Sequence, residues 1–273
     1  MTAFLDRLLL PGPAVVLATT LLLTGCAPGA VSATPQGQRS PGSAEGRAAG
    51  SVAGTTPEAP ASAKKSGTKG PGPGKPSVDL TAHSATDPAS PWVVVNKRSP
   101  LAPVDYEPEL TTVRGYLVRP DAAPDLAALL DAADADGVHL TLRSASRGYP
   151  KQVQVYEGWV AQLGATEADV VSARPGHSEH QTGLAVDVGS STRPECDFDP
   201  CFGDTVEGRW VAGHAAGFGF VIRYTPDNRA VTGYAAESWH LRWVGRDLAA
   251  HMRDTGVSTL EEVFDVPGGG YAR

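Results

Sequence analysis

Apolar residues along the chain change their rhythm at about residue 90. Upstream, one apolar run, LLLPGPAVVLATTLLL, stands near the N-terminus, and the remainder is poor in anything a core could bury. Downstream, two periods alternate. In APDLAALLDAADADG, Leu126, Leu129, Leu130 and Ala133 recur at helical spacing, and Gly137 closes the element. VHLTLRSAS alternates apolar and polar residues, as a half-buried strand does. YPKQVQVYEGWVAQLG predicts a second helix, with Pro150 in its first turn, Val153, Tyr156, Val160 and Leu163 on one face, and Gly164 at its end. GLAVDVG reads as a buried strand, EGRWVAGHAAGFG as a helix, FVIRY and SWHLRWV as strands, and GRDLAAHMRDTG as a helix. STLEEVF opens on a Ser-x-x-Glu capping box. PWVVVNKRSPLAPVDYEP predicts a short strand running into a Pro-rich extended segment. Helices and strands alternate irregularly and nothing repeats. The expectation is one α+β domain over residues 90–273, with a small, mainly antiparallel sheet flanked by helices.

Composition explains the upstream part. Arg7, the apolar run broken by Pro11 and Pro13, and LTGC ending at Cys26 describe an export signal over residues 1–26. The prolines make the run a poor spanning helix. The Leu-Thr-Gly-Cys ending resembles the lipobox of bacterial lipoproteins. That resemblance implies acylation of Cys26 and an extracytoplasmic protein anchored to the outer face of the cytoplasmic membrane. Residues 27–89 are rich in Gly, Pro, Ala, Ser and Thr and are expected to form a tether that cannot offset the entropy of ordering. Residues 27–77 carry six Lys/Arg against two Asp/Glu, and residues 78–273 carry 16 against 27. A domain with that acidic excess is not a general nucleic-acid binder.

The chain has three cysteines. With Cys26 assigned to lipid, Cys196 and Cys201 remain as an even pair outside the reducing cytosol, and CDFDPC is expected to close a small disulfide loop. A metal site is the weaker alternative, because a second pair at this spacing is missing.

SARPGHSEHQTGLAVDV, residues 172–188, gathers His177, His180 and Asp187. Histidine nitrogens and a carboxylate oxygen suit zinc, which in hydrolysis takes three protein ligands and leaves a position for water. Asp187 lies within an apolar strand, where a charge needs a partner. A metal is one such partner and a structural ion pair another. AAESWHLRWV adds Glu237 and His240. On a regular strand these two would point to opposite faces, so a bend between them is needed if both are to serve one site.

These motifs carry a resemblance. SEHQTGLAVD matches the Ser-x-His-x-x-Gly-x-Ala-x-Asp pattern of the VanY-like D-alanyl-D-alanine carboxypeptidases, a family of zinc peptidases, and ESWH matches their Glu-x-x-His. VNKRSPLAPVDYEP, SASRGYPKQ and FGDTVEGRWVAGHAAGFGFVIRY are similar to that family as well. The resemblance spans about residues 93–250. It implies one zinc ion held by His180, Asp187 and His240 in a cleft on the sheet, with Glu237 as general base. It also implies Arg147 as the group stabilising charge on the scissile carbonyl, and Ser178 and Gln152 as contacts to the substrate's terminal residue. The family's usual Tyr-Arg-Ser is replaced here by Ser146-Arg147-Gly148.

The remaining polar residues carry blander expectations. His177 reads as a loop histidine, Glu179 as a member of a solvated salt bridge, Arg174 as a structural residue and His214 as a surface or packed histidine. His83, His139 and His251 have no ligand spacing. Trp210 and Phe218 belong to the core, Trp239 to the cleft wall or the core, and Tyr224 and Tyr234 to a cleft rim. The expected activity is removal of the C-terminal D-alanine from peptidoglycan stem peptides by a monomeric enzyme. An L,D-carboxypeptidase acting on tetrapeptide stems, an endopeptidase and a non-catalytic wall-binding module holding structural zinc are the alternatives.

Overall fold

Residues 78–272 are described by the computed structural model, so the proposed signal peptide, Cys26 and most of the tether lie outside the described residues. Within them the fold is α+β, built on a four-stranded antiparallel sheet of order β3-β4-β6-β5. The strands are β3 (Leu140–Ser144), β4 (Ala185–Ser190), β5 (Phe220–Tyr224) and β6 (Glu237–Trp243). Every residue of β4 is buried, as suits a central strand whose apolar residues flank Asp187 on both sides.

Helix α1 (Ala123–Ala135) seats the predicted stripe on the sheet. Leu126, Leu129, Leu130 and Ala133 are at most 1% exposed, and each leucine buried this way stabilises the fold by about 1.5–3 kcal/mol. They pack with Leu142, Val186, Val188, Phe220 and Leu241 from the strands. Helices α4 (Val206–His214), α6 (Arg246–Thr255) and α7 (Leu260–Phe264) complete the shell.

Several elements depart from the sequence expectations. Helix α2 (Tyr149–Leu163) forms, but its predicted apolar stripe is not core-facing, and Leu163 is 45% exposed. Instead α2 packs in a hairpin with α3 (Ala165–Val171), where the Tyr156 hydroxyl donates to Asp169 Oδ1 at 2.8 Å. Residues 92–95 are buried, yet join no sheet. Arg242 Nη2 instead takes carbonyls of this part of the chain, donating to Pro91 O and Val93 O at 3.0 and 2.9 Å. A small hairpin, β1 (Thr111–Val113) and β2 (Tyr116–Val118), was not expected. Its turn residues Arg114 and Gly115 both have positive φ, as a tight type I′ turn requires, but Arg-Gly is not a recognisable turn pair. The cap of α7 sits one residue later than predicted, with Thr259 Oγ1 accepting from Glu262 N–H at 3.1 Å. Residues 78–89 belong to the folded part and not to a tether, because Val78, Leu80 and Ala85 pack against Trp92, Val244 and Leu248. Cys196 and Cys201 are joined by a disulfide.

Candidate active site

The Ser178-to-Asp187 stretch folds as a one-turn 3-10 helix, Glu179–Thr182, feeding β4. Gly183 ends the turn at φ +70°, where a Cβ would meet Leu110 Cδ2 at 2.9 Å and Arg119 N at 3.2 Å, so only glycine fits. This places His180 beside Asp187. Asp187 in turn faces His240 directly across the β4–β6 pair. His180, Asp187 and His240 offer ligand atoms that all lie within 4.8 Å of one another, and all three are buried.

Hydrogen bonds determine which imidazole nitrogens are available. His180 Nδ1 lies 2.7 Å from the carbonyl of Ala145, which can only accept, so Nδ1 carries the proton. Nε2 is left with its lone pair, 3.2 Å from Asp187 Oδ2. His240 Nε2 lies 3.1 Å from Glu179 Oε2, which leaves Nδ1 directed at Asp187 Oδ1, also at 3.1 Å. The His180 Nε2 lone pair, His240 Nδ1 and the Asp187 carboxylate thus face one point. Such an arrangement is repulsive unless a cation or a proton stands between them, and a two-histidine, one-carboxylate set suits zinc.

Glu237 begins β6 and its Oε2 is 3.9 Å from His240 Nδ1. The pairing of β5 and β6 shifts here: Ile222 faces Leu241 while Tyr224 faces Glu237. Two residues of β5 are therefore spanned by four of β6, and this bulge brings Glu237 and His240 to the same site. Burial raises the Glu237 carboxyl to about 7. Burial also opposes charge on His240, but hydrogen bonds to Asp187 and Glu179 prevail and lift it to about 9.

Arg147 follows β3, and its backbone N–H donates to His180 O at 3.0 Å. Burial lowers its pKa, while Asp187 and Glu237 oppose the shift. Gln152 is completely buried and does not line the cleft. Its Oε1 accepts from Arg147 Nε at 2.6 Å and its Nε2 donates to Ala173 O at 2.6 Å. Its side chain thus lies behind the arginine and holds it in place. Ser178 does line the cleft, together with Arg147, His180, Asp187, Glu237 and His240, and the enclosed volume is about 450 Å³.

Glu179 is the residue that sequence reasoning misjudged. It is not solvated but completely buried, with Oε1 2.8 Å from Arg223 Nε and 3.0 Å from Arg242 Nη1, and Oε2 on His240. Desolvation works against its charge, yet the two guanidinium groups and His240 hold its carboxyl well below the usual range. Arg223 also binds Glu261 at 2.7 Å. The available signal was an arginine within each of the apolar strands FVIRY and HLRWV, since a buried arginine demands an acid. Tyr224 and Tyr234 line the cleft from buried positions and not from an exposed rim, and the Tyr224 ring lies tilted against His240 with centroids 5.0 Å apart. Trp239 serves both the core and the cleft wall. His177 bonds the Asn96 carbonyl at 2.8 Å, and Arg174 forms a two-pronged pair with Asp169 at 3.0 and 2.8 Å. His214 stacks on Trp210 at 4.4 Å.

The family model described as VanY, D-alanyl-D-alanine carboxypeptidase, matches residues 115–246 and so takes in His180, Asp187, His240, Glu237 and Arg147. The chain is also 35% identical over 190 residues to the putative carboxypeptidase YodJ of Bacillus subtilis, covering 66% of this chain and 68% of that one. The chain belongs to the VanY family. Among solved structures it is similar to the LdcB LD-carboxypeptidase, with a TM-score of 0.60, 35% identity and coverage of 67% of this chain and 89% of that chain. It is also similar to a mutant of the vancomycin-resistance D,D-pentapeptidase VanY in complex with Zn(II), with a TM-score of 0.56, 32% identity and coverage of 63% and 97%. As a VanY-family member the chain is a peptidase of the carboxypeptidase class.

Proposed function

We propose that this chain is a zinc-dependent D-alanyl-D-alanine carboxypeptidase that removes the C-terminal D-alanine of peptidoglycan stem peptides. The observation that carries the reading is the convergence of His180 Nε2, His240 Nδ1 and the Asp187 carboxylate on one point, with Glu237 beside it. One zinc ion held by these three residues supplies a Lewis acid and lowers the pKa of water toward ~7. The relative crystallised with Zn(II) supports that choice of metal.

Glu237 accepts the proton of the attacking water and passes it to the nitrogen of the departing D-alanine as the peptide C–N bond breaks. Arg147 presents its guanidinium to the negative charge that grows on the scissile carbonyl oxygen, and Gln152 keeps it aimed. Ser178 offers a hydroxyl to the substrate's terminal residue. The enzyme acts as a monomer outside the cytoplasm, tethered through lipid on Cys26. A structural zinc module would need neither the base nor the arginine.

A second reading has its own support. The similarity to LdcB favours an L,D-carboxypeptidase that takes the terminal D-alanine from a tetrapeptide stem. Product analysis on defined pentapeptide and tetrapeptide stems, with and without a chelator, separates the two. Release of D-alanine from the pentapeptide alone supports the D,D reading, and release from the tetrapeptide alone replaces it. Hydrolysis that survives complete metal removal overturns both.

A further inference from the structure

The catalytic groups occupy one end of a cleft whose other walls are apolar, and none of the chemistry above uses those walls. Phe198 is the most conspicuous member. It lies in the loop closed by the Cys196–Cys201 disulfide, at φ +59°, a left-handed conformation that bulky residues rarely adopt. It is 52% exposed, yet its backbone is held firmly on either side. Asp197 Oδ1 accepts from Ser190 N–H at 2.9 Å, and Asp197 Oδ2 pairs with Arg143 Nη2 at 2.6 Å. Gly189 makes that approach possible, since a Cβ there would meet Asp197 Oδ1 at 2.4 Å. The neighbouring Asp199 caps the following turn by accepting from Cys201 N–H at 2.9 Å. A large aromatic ring is thus displayed to solvent from a braced, strained position.

The ring stands edge-on to Trp239 at 6.3 Å, one residue from His240, and lines the cleft. Trp159 and Val171, from α2 and α3, line the same cleft and are each 38% exposed. These apolar residues come from separate parts of the chain and converge beside the reacting groups. One departing alanine is far too small to fill about 450 Å³. The rest of the space must take the acyl side of the scissile bond.

We propose that the disulfide loop and α2 form an apolar subsite for the residues preceding the scissile bond, with Phe198 as its specificity-determining contact. It takes the aliphatic part of a long side chain. The subsite rests on the carboxypeptidase reading but is tested separately from it. Asp197 and the disulfide act only through the position of Phe198.

The test compares two probes, acetyl-D-Ala-D-Ala and diacetyl-L-Lys-D-Ala-D-Ala. In Phe198→Ala, the preference in kcat/KM for the longer probe falls about tenfold, the size expected for a lost aromatic contact, and the loss lies in KM. Phe198→Leu retains most of the preference. Cys196→Ser/Cys201→Ser moves it in the same direction, with circular dichroism verifying the fold. An equal loss on both probes, or none, overturns the subsite while leaving the carboxypeptidase reading intact. If the wild-type enzyme cleaves neither probe, calorimetric binding of the longer one decides. Weakening by Phe198→Ala then supports the subsite while the D,D reading falls, and equal binding overturns both.

Discussion

His240 Nε2 stands 3.1 Å from Glu179 Oε2, and the other oxygen of that glutamate holds Arg223 and Arg242 at 2.8 and 3.0 Å. One buried carboxylate therefore orients a proposed metal ligand and pairs with two buried cations, and Glu261 supplies the second negative charge. Through Arg223 the network reaches Glu261 on α7, and through Arg242 it reaches the carbonyls of the 91–93 segment.

Glu179→Gln is expected to weaken zinc binding about 10- to 100-fold, the usual consequence of losing a carboxylate behind a ligating histidine. Glu179→Ala leaves Arg242 without an acid and Arg223 with Glu261 alone, and is expected to cost about 3–5 kcal/mol of stability. Competition with a chromophoric chelator and thermal unfolding of the metal-free protein read the two effects. Wild-type zinc affinity in Glu179→Gln would show that the hydrogen bond does not tune His240.

Zinc uptake should release protons. In the metal-free protein His240 is held at about 9, so it is an imidazolium at pH 7.5 and must lose a proton before Nδ1 can bind. About one proton per zinc follows from His240, with an added fraction from Glu237 at about 7. Affinity must therefore fall as the pH is lowered. Calorimetry in buffers of different ionisation enthalpy measures the release, and its absence would contradict the arrangement.

Glu237→Ala should retain zinc and the fold and lose about 10²–10⁴ in kcat. The wild-type profile has an acid limb. Below about 7 burial keeps the metal-free Glu237 neutral and unable to take a proton, and a bound cation moves that limb to lower pH. Rate profiles of kcat/KM against pH locate it. Near-native turnover in Glu237→Ala refutes its role as base.

Arg147→Ala is expected to lower kcat by about 10²–10³. Gln152→Ala should produce a smaller loss in the wild-type background and almost none in Arg147→Ala, because Gln152 acts through the arginine. A double-mutant cycle on kcat/KM measures this coupling. Additive losses would give Gln152 an independent role.

The local rules were readable from the residues. Leu126, Leu129, Leu130 and Ala133 announced a helix with one apolar face by spacing alone, and the apolar residues around Asp187 announced a buried strand. The grouping of His180, Asp187 and His240 was legible through motif resemblance. The β1–β2 hairpin was not, because its turn works with Arg114 where a familiar turn pair would carry asparagine. The facing of α2 was not legible because Val155 and Trp159, off the predicted stripe, line the cleft while Tyr156 on the stripe meets α3, and periodicity cannot distinguish these surroundings from a core.

By itself the sequence determined the main helices and the strands of the four-stranded sheet, the ligand-bearing motifs and the even cysteine pair, since spacing, capping and composition act over a few residues. Only the tertiary structure decided that a bulge in β6 turns Glu237 toward His240, that Glu179 is buried between Arg223 and Arg242, and that Gln152 lies behind Arg147. Strand register and the pairing of buried charges are set by groups tens of residues apart, and the energy that fixes them exists only once those groups leave water together.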